Sequence, residues 1–234
     1  MSNQENRFNL ELAKAKIWKI NRKIIEACRR KSRNPSDIVI LAATKNKAVL
    51  EINTLIQAGI KLIGENRVQE AQRKFESKEL LTCKRHFIGR LQKNKVGKAV
   101  RLFDCIQSVD SVELGEIINR RAQEIGKVQQ IFLQVNSNND PAKTGFTCEQ
   151  TEKVLTHLQT MKNITVTGLM TIGKQTQDTD EKRHYFTTLR QLFNAQSKNY
   201  PLTHLSMGMS QDYVIAIEEG STMVRLGKLL FENE

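Results

Sequence analysis

Residues 37–47, DIVILAATKNK, form an apolar run that ends in two lysines. From Ile38 to Ala43 both alternating faces are apolar, which is the pattern of a strand covered on both sides in a parallel sheet. Lys45 therefore emerges where a buried strand ends. Taken alone, a lysine at such a position is more typical of a side chain that reaches solvent than of a reactive group.

Seven further apolar runs follow, and helical patterns separate them. The predicted strands are 37–44, 60–64, 86–90, 104–108, 129–136, 164–170, 203–207 and 222–227. The predicted helices include 48–58, 67–79, 111–125, 147–161, 178–196 and 211–219. This alternation indicates an α/β fold with parallel pairing through right-handed crossovers, and eight strands predict a closed (β/α)8 TIM barrel. An open doubly wound sheet is the competing topology, but no GxGxxG follows the first strand.

The 234 residues, 39% of them hydrophobic, suit a single barrel domain over 1–234. One extra N-terminal helix is predicted within residues 1–33, which hold ten Lys or Arg and three Glu. Its apolar positions at helical spacing are Ile17, Ile20, Ile24 and Cys28. We expect Trp18 and Ile20 of this basic amphipathic helix to pack on the barrel.

The net charge of +12 is concentrated in residues 1–33 and 84–101. Such surfaces attract nucleic acid, acidic proteins or phosphorylated small molecules, although a solvated helix face is the simpler explanation. Because stacking aromatics are sparse, we expect no nucleic-acid partner, and a basic interaction protein remains the third-ranked function.

Targeting and metal signals are absent from the sequence. No apolar window suits a membrane span or a signal peptide, so we expect a cytoplasmic protein. The cysteines lack both the spacing of metal ligands and the context of a disulfide scaffold, and we expect no metal site. These cysteines are Cys28, Cys83, Cys105 and Cys148.

In a barrel, functional residues collect at the carboxyl ends of the strands, and a phosphate is often bound by the loops after strands 7 and 8. There Ser206 offers a hydroxyl, while Gly208 and Gly227 allow backbone N–H groups to approach an anion. Glycines after strands are usually turn residues, so this phosphate site is a weak signal by itself.

Lys45 and Arg225 strengthen the prediction of a ligand site at this end of the barrel. A partly desolvated lysine near other cations loses its proton more easily, and its neutral amine can form a Schiff base. Together with a phosphate site, this suggests pyridoxal 5'-phosphate (PLP). Alternation places Arg225 with Met223, and inside the barrel it would need a partner, either a pyridine nitrogen or a carboxylate such as Glu65.

Several long motifs resemble the pyridoxal phosphate homeostasis protein family. They are LAATKNK, LIGENRVQEA, RHFIGRLQKNK, IQSVDS, GLMTIG and LSMGMSQDYVIAIEEGSTMVRLG. The resemblance implies a barrel similar to the N-terminal domain of alanine racemase, with PLP as cofactor. By position it implies these roles: Lys45 forms the Schiff base, Arg225 faces the pyridine nitrogen, Ser206 and Gly227 bind phosphate, and Asn66 and His86 lie around the site.

The sequence departs from the family pattern at four positions. Ala48 replaces a frequent proline, Arg67 a tyrosine and Arg90 a histidine. Lys228 replaces a threonine beside the phosphate site, where a positive charge takes the place of a hydroxyl.

The resemblance implies a PLP carrier or regulator of vitamin B6 and amino-acid balance, without catalytic residues. A weakly active racemase-like enzyme is the alternative, and it needs a second acid or base such as His86 or Tyr213. In alanine racemase a C-terminal domain supplies that group, and we expect this domain to be absent because seven residues follow Gly227.

We expect a monomer whose partners are PLP and the apo PLP enzymes that receive it. We also expect cations near the mouth of the barrel to attract phosphorylated B6 vitamers toward the Schiff-base lysine. These cations include Lys47, Lys143 and Lys228.

Overall fold

The computed structural model of the chain describes residues 8–138, 140–174 and 176–232. Eight parallel strands neighbour one another in chain order, and the eighth pairs with the first to close a barrel. They are β1 Val39–Ala43, β2 Leu62–Glu65, β3 Lys84–Phe87, β4 Cys105–Val109, β5 Gln129–Gln134, β6 Ile164–Met170, β7 His204–Met209 and β8 Met223–Leu226. The predicted (β/α)8 barrel is confirmed, and the open sheet is excluded.

Helices lie between the strands and before the first one. They are α1 Leu10–Arg30, α2 Val49–Gln57, α3 Val68–Phe75, α4 Val96–Leu102, α5 Val112–Gln123, α6 Cys148–Gln159, α7 Thr179–Gln196, α8 Tyr213–Glu218 and α9 Lys228–Phe231. Short 3-10 turns precede β1 and α4. In the described ranges, no helix has the length and apolar character needed to cross a membrane.

The N-terminal helix α1 confirms the predicted amphipathic pattern from residue 10 onward, and residues 1–7 lie outside the described part of the chain. Asn9 caps the helix by accepting a hydrogen bond from the Leu12 N–H. Ile20 is buried against the barrel, as expected. The expectation for Trp18 is wrong, because this side chain is 59% exposed and lies beside the Arg22 guanidinium.

The barrel interior changes character along its axis. An apolar layer fills the lower part, with Leu41, Leu62, Ile88, Cys105, Phe132, Met170 and Met223. Two residues further along their strands, Gln107 follows Cys105 and Arg225 follows Met223 on the same face. The interior therefore becomes polar toward the carboxyl ends of the strands.

The segment 84–101 differs most from its prediction. Strand β3 begins two residues before the predicted start at His86 and ends at Phe87. The chain then turns at Gly89, where a Cβ would lie 2.2 Å from the Asn66 carbonyl oxygen, so the loops after β2 and β3 pack tightly. Helix α4 was not predicted, and it buries Val96, Ala99 and Val100 among the basic residues.

Candidate functional site

Lys45 lies at the mouth of the barrel, two residues beyond the last residue of β1. It continues the alternation of Leu41 and Ala43, but its side chain is exposed to solvent. The partly desolvated setting expected from the sequence is therefore wrong. The chain turns sharply after it, since Asn46 has a φ of 60°, a left-handed conformation that asparagine tolerates.

The residues that flank Lys45 are held firmly. Thr44 is fully buried, and its N–H donates to the Gly64 carbonyl at 2.9 Å. Its hydroxyl donates to Glu65 Oε1 at 2.6 Å, and its carbonyl accepts from Lys74 Nζ at 2.7 Å. The mobile part of Lys45 is thus its own side chain, because the backbone before it is fixed to β2 and α3.

Arg225 lies inside the barrel with its side chain almost fully buried. Nη1 donates to the carbonyl and the hydroxyl of Ser206, both at 2.8 Å, and Nη2 donates to the Thr171 carbonyl at 2.7 Å. The possible ion pair with Glu65 is excluded, because Glu65 bonds to Lys74 and Thr44 instead. No carboxylate among the described residues forms an ion pair with this buried cation.

The charge of Arg225 persists despite its burial. Desolvation lowers the pKa of the guanidinium to about 10, while the charge of Asp212 acts in the opposite direction. Arg225 is therefore protonated at neutral pH. A buried cation that bonds only to neutral oxygens is suited to an acceptor atom supplied by a ligand.

A hydrogen-bonded chain connects Arg225 to His86 through residues of two further strands. The Ser206 hydroxyl donates to Gln107 Oε1 at 2.7 Å, and the Gln107 amide nitrogen donates to His86 Nδ1 at 2.8 Å. Burial lowers the pKa of His86 to about 4, so this imidazole is neutral at physiological pH. The network holds one positive charge, on Arg225, and neutral groups elsewhere.

The predicted phosphate-binding residues lie on adjacent strands. Ser206 is fully buried in β7, where its hydroxyl already bonds to Gln107 and Arg225. Gly227 follows β8 directly, and a Cβ there would lie 3.4 Å from the Ala43 carbonyl oxygen. The structure thus brings Ser206 beside Arg225 and Gly227 beside β1, and their contact with phosphate stays a prediction.

A broad cleft of about 1920 Å³ lies at the mouth, over the ends of β1 to β5. Exposed Asn66 lines it, together with the two arginines that depart from the family pattern, Arg67 and Arg90. Lys47 also lines it, 3.5 Å from Glu51 and above the Phe231 ring. Lys228 lies apart, in a groove against α1. Within the described residues, no group of His, Cys, Asp or Glu could hold a metal ion.

Two functional features were missed by sequence reasoning. Gln107 joins His86 to Ser206, and its signal was a polar residue at an interior position of a buried strand. Lys74 contacts the backbone beside Lys45, but its sequence shows only an ordinary i,i+4 pair with Glu70.

Comparison with known protein families identifies the class of domain to which this chain belongs. The family model for the N-terminal domain of alanine racemase matches residues 25–233. The site therefore lies in a barrel of this class. A lysine follows the first strand of the barrel, and an arginine lies in the last strand.

Individual relatives narrow the class. The pyridoxal phosphate homeostasis protein of Aquifex aeolicus is 37% identical over 218 residues, which cover 92% of this chain and 96% of that protein. Its namesake in Synechocystis sp. is 40% identical over 200 residues, 84% of this chain and 92% of the relative. PipY of Synechococcus elongatus PCC7942, solved with PLP bound, is 35% identical, with a TM-score of 0.78 over 89% of this chain and 99% of that chain. This chain belongs to the pyridoxal phosphate homeostasis protein family.

Proposed function

We propose that this protein binds PLP as a Schiff base on Lys45 and takes part in PLP and amino-acid homeostasis by holding the cofactor and passing it on. The proposed unit is one domain spanning 1–234, acting as a monomer on apo PLP enzymes. One observation supports the proposal: an exposed lysine just after β1 lies near a buried arginine in the paired strand β8, and this arginine has no acidic partner among the described residues.

The register of β1 and β8 gives the two cations their order along the barrel axis. Leu41 pairs with Arg225, so Lys45 lies four residues further along than the level of Arg225. At about 3.3 Å per residue, this offset corresponds to roughly 13 Å between the two levels. We expect the long side chain of Lys45 to span part of this distance when a ligand is bound. The site can therefore contact a flat ligand at its aldehyde and at its ring nitrogen.

PLP supplies an aldehyde that condenses with a primary amine and a pyridine ring that withdraws electrons. Arg225 is suited to donate a hydrogen bond to the ring nitrogen, and as a group that keeps its own proton it leaves that nitrogen unprotonated. An unprotonated ring is a weaker electron sink than a protonated one.

Two observations favour a carrier over a racemase. Lys45 is open to solvent, and access to water suits exchange of a ligand better than protection of a reactive carbanion. Neither suggested second base is well placed: His86 bonds to Gln107 inside the barrel, and Tyr213 packs among the apolar residues between α8 and α1. Burial raises the pKa of Tyr213 to about 12.

The test is visible absorption of the purified protein with added PLP, before and after borohydride, in wild type and in Lys45→Ala. We expect a yellow adduct that borohydride fixes on the peptide containing Lys45 and that the variant does not form. Lys153→Ala, which removes an exposed cation from α6 outside the cleft, serves as the control and should form the adduct normally. Equal absorption changes in wild type and Lys45→Ala would refute the proposed site.

A further inference from the structure

A buried charged cluster lies beside the proposed site and has no role in holding PLP directly. It consists of Glu65 at the end of β2 and Glu70 and Lys74 in α3, and we call these three residues the clamp. Lys74 Nζ lies 2.6 Å from Glu65 Oε1 and 2.7 Å from Glu70 Oε1. Lys74 and Glu65 are almost fully buried, so solvent screens their attraction little.

Each clamp residue also bonds to the turn that carries Lys45. Upstream of Lys45, the Thr44 carbonyl accepts from Lys74 at 2.7 Å, and the Thr44 hydroxyl donates to Glu65 at 2.6 Å. Downstream of it, the Asn46 N–H donates to Glu70 at 2.6 Å. Charged side chains thus bind the peptide groups on both sides of the proposed Schiff-base lysine.

We propose that Glu65, Glu70 and Lys74 are positioning residues, which fix the turn at Thr44–Asn46 so that the Lys45 amine is held toward the interior that contains Arg225. The inference rests on the proposed function, because positioning matters only if Lys45 must meet a ligand that Arg225 binds at the same time.

The physical reason lies in the geometry of the turn. Lys45 is exposed and has no ion pair among the described residues, so only the backbone limits where its amine can go. Asn46 has left-handed backbone angles, and without the bond from Glu70 the turn has other conformations to populate. A ligand that contacts two groups at once is sensitive to small displacements of either one.

The pKa shifts and hydrogen bonds of the clamp are consistent with a structural role. Burial raises the pKa of Glu65, although hydrogen bonds from Lys74 and Thr44 oppose this. Burial also acts to raise the pKa of Glu70, but bonds from Lys74 and Asn46 lower it overall. Glu65 Oε2 is buried and has no hydrogen-bond partner among the described residues. The hydrogen bonds of this side chain to Thr44 and Lys74 are both made by Oε1, which faces the turn.

The sharpest test compares two substitutions of Thr44. Thr44→Val keeps the shape of the side chain and removes the hydroxyl that donates to Glu65, whereas Thr44→Ser keeps the hydroxyl. We expect the rate of PLP adduct formation to fall by about fivefold in Thr44→Val and to stay near the wild-type rate in Thr44→Ser.

Substitutions in the clamp extend the test. Glu70→Met should slow PLP uptake about fivefold and Lys74→Met about tenfold, because they release one or both sides of the turn. Lys153→Met is the matched control, since it removes an exposed cation from α6, a helix that does not line the cleft. If Lys74→Met does not fold, Glu70→Met and the two Thr44 variants still test the inference.

A second readout separates positioning from loss of structure. Reductive methylation with formaldehyde, measured at Lys45 by peptide mass, needs only an accessible amine and should proceed equally in every variant. Slower PLP uptake with unchanged methylation supports the inference. Wild-type PLP uptake in all folded clamp variants, or equal slowing of both reactions, would overturn it and leave the proposed function standing. Absence of a PLP adduct on Lys45 in wild type would overturn both.

Discussion

Two of the cations buried in the described part of the chain lie beside the proposed site: Lys74 and Arg225, which are exposed by only 8% and 6%. Lys74 lies outside the barrel, between two carboxylates that bond to it directly. Arg225 lies inside the barrel and bonds to a hydroxyl and two carbonyl groups. Burial of a charge is costly without a counter-charge. The protein supplies the counter-charge for Lys74, whereas we propose that a bound ligand adds a further partner for Arg225.

The largest effect on stability is expected from replacing Lys74, the cation that is paired with two carboxylates. We expect Lys74→Met to lower the free energy of unfolding by about 3–5 kcal/mol, because Glu65 and Glu70 would then face each other without the ammonium group. Urea denaturation measures this loss. A loss below about 1 kcal/mol would mean that the cluster is held together by other contacts.

The second prediction concerns His86, which would add a second positive charge to the barrel interior if it were protonated. The pKa of His86 is lowered to about 4 by burial, so the unfolded chain, with a pKa near 6.5, binds a proton first as the pH falls. The contribution of neutral His86 to stability is complete above pH 6.5 and is lost as the pH falls toward 4, by roughly 3 kcal/mol in all.

His86→Asn provides the comparison for this pH dependence. The asparagine keeps a polar group near Gln107 but does not titrate, so its unfolding midpoint in urea should change less than that of wild type between pH 6.5 and 4. Parallel pH profiles of the two proteins would contradict the assignment of a buried neutral imidazole.

The third prediction concerns Arg225 directly. PLP at one hundred times its dissociation constant should stabilise the wild-type protein by about 2.7 kcal/mol, and Arg225→Met should lose most of this gain. Without PLP, the variant should lose less stability than Lys74→Met, because it removes a charge that no carboxylate balances. Thermal melts with and without PLP measure both effects. An undiminished gain in Arg225→Met would show that Arg225 does not contact the ligand.

The smallest effect is expected for three lysines that follow the carboxyl ends of strands β1, β5 and β8. Combined replacement of Lys47, Lys143 and Lys228 by alanine should slow PLP uptake about threefold and weaken its dependence on salt, because these charges attract phosphate through solvent. A matched triple variant removes Lys61, Lys162 and Lys198, exposed lysines in loops that enter strands at the opposite end of the barrel. Equal kinetics in the two triple variants would contradict the attraction.

The barrel could be predicted because its central strands carry apolar residues on both faces, as residues 38–43 do. Strand β3 was misplaced because it begins with two charged residues, which hide the apolar pattern of a strand. Lys84 is exposed, and the Arg85 guanidinium lies over the Phe75 ring. Helix α4 was missed because it is short and its buried face has only three residues, which alternate with a lysine and an arginine. Short elements give weak periodic signals.

The residues of the site also differ in how far the sequence predicts them. Alternation along β8 and the end of β1 sufficed to place Arg225 and Lys45. The partners of Arg225 could not be predicted, since Thr171 and Ser206 approach it through packing of separate strands. The role of Lys74 was also hidden, because an i,i+4 pair with Glu70 is typical of an exposed helix face, and only burial against Thr44 distinguishes it.

A crystal structure of the protein with PLP would test the central claim most directly, by measuring the two ends of the ligand at once. The account predicts electron density continuous from Lys45 Nζ to the cofactor and a pyridine nitrogen within hydrogen-bond distance of the Arg225 guanidinium. Continuous density to another lysine such as Lys47 or Lys228, or a ring nitrogen that faces away from Arg225, would contradict it.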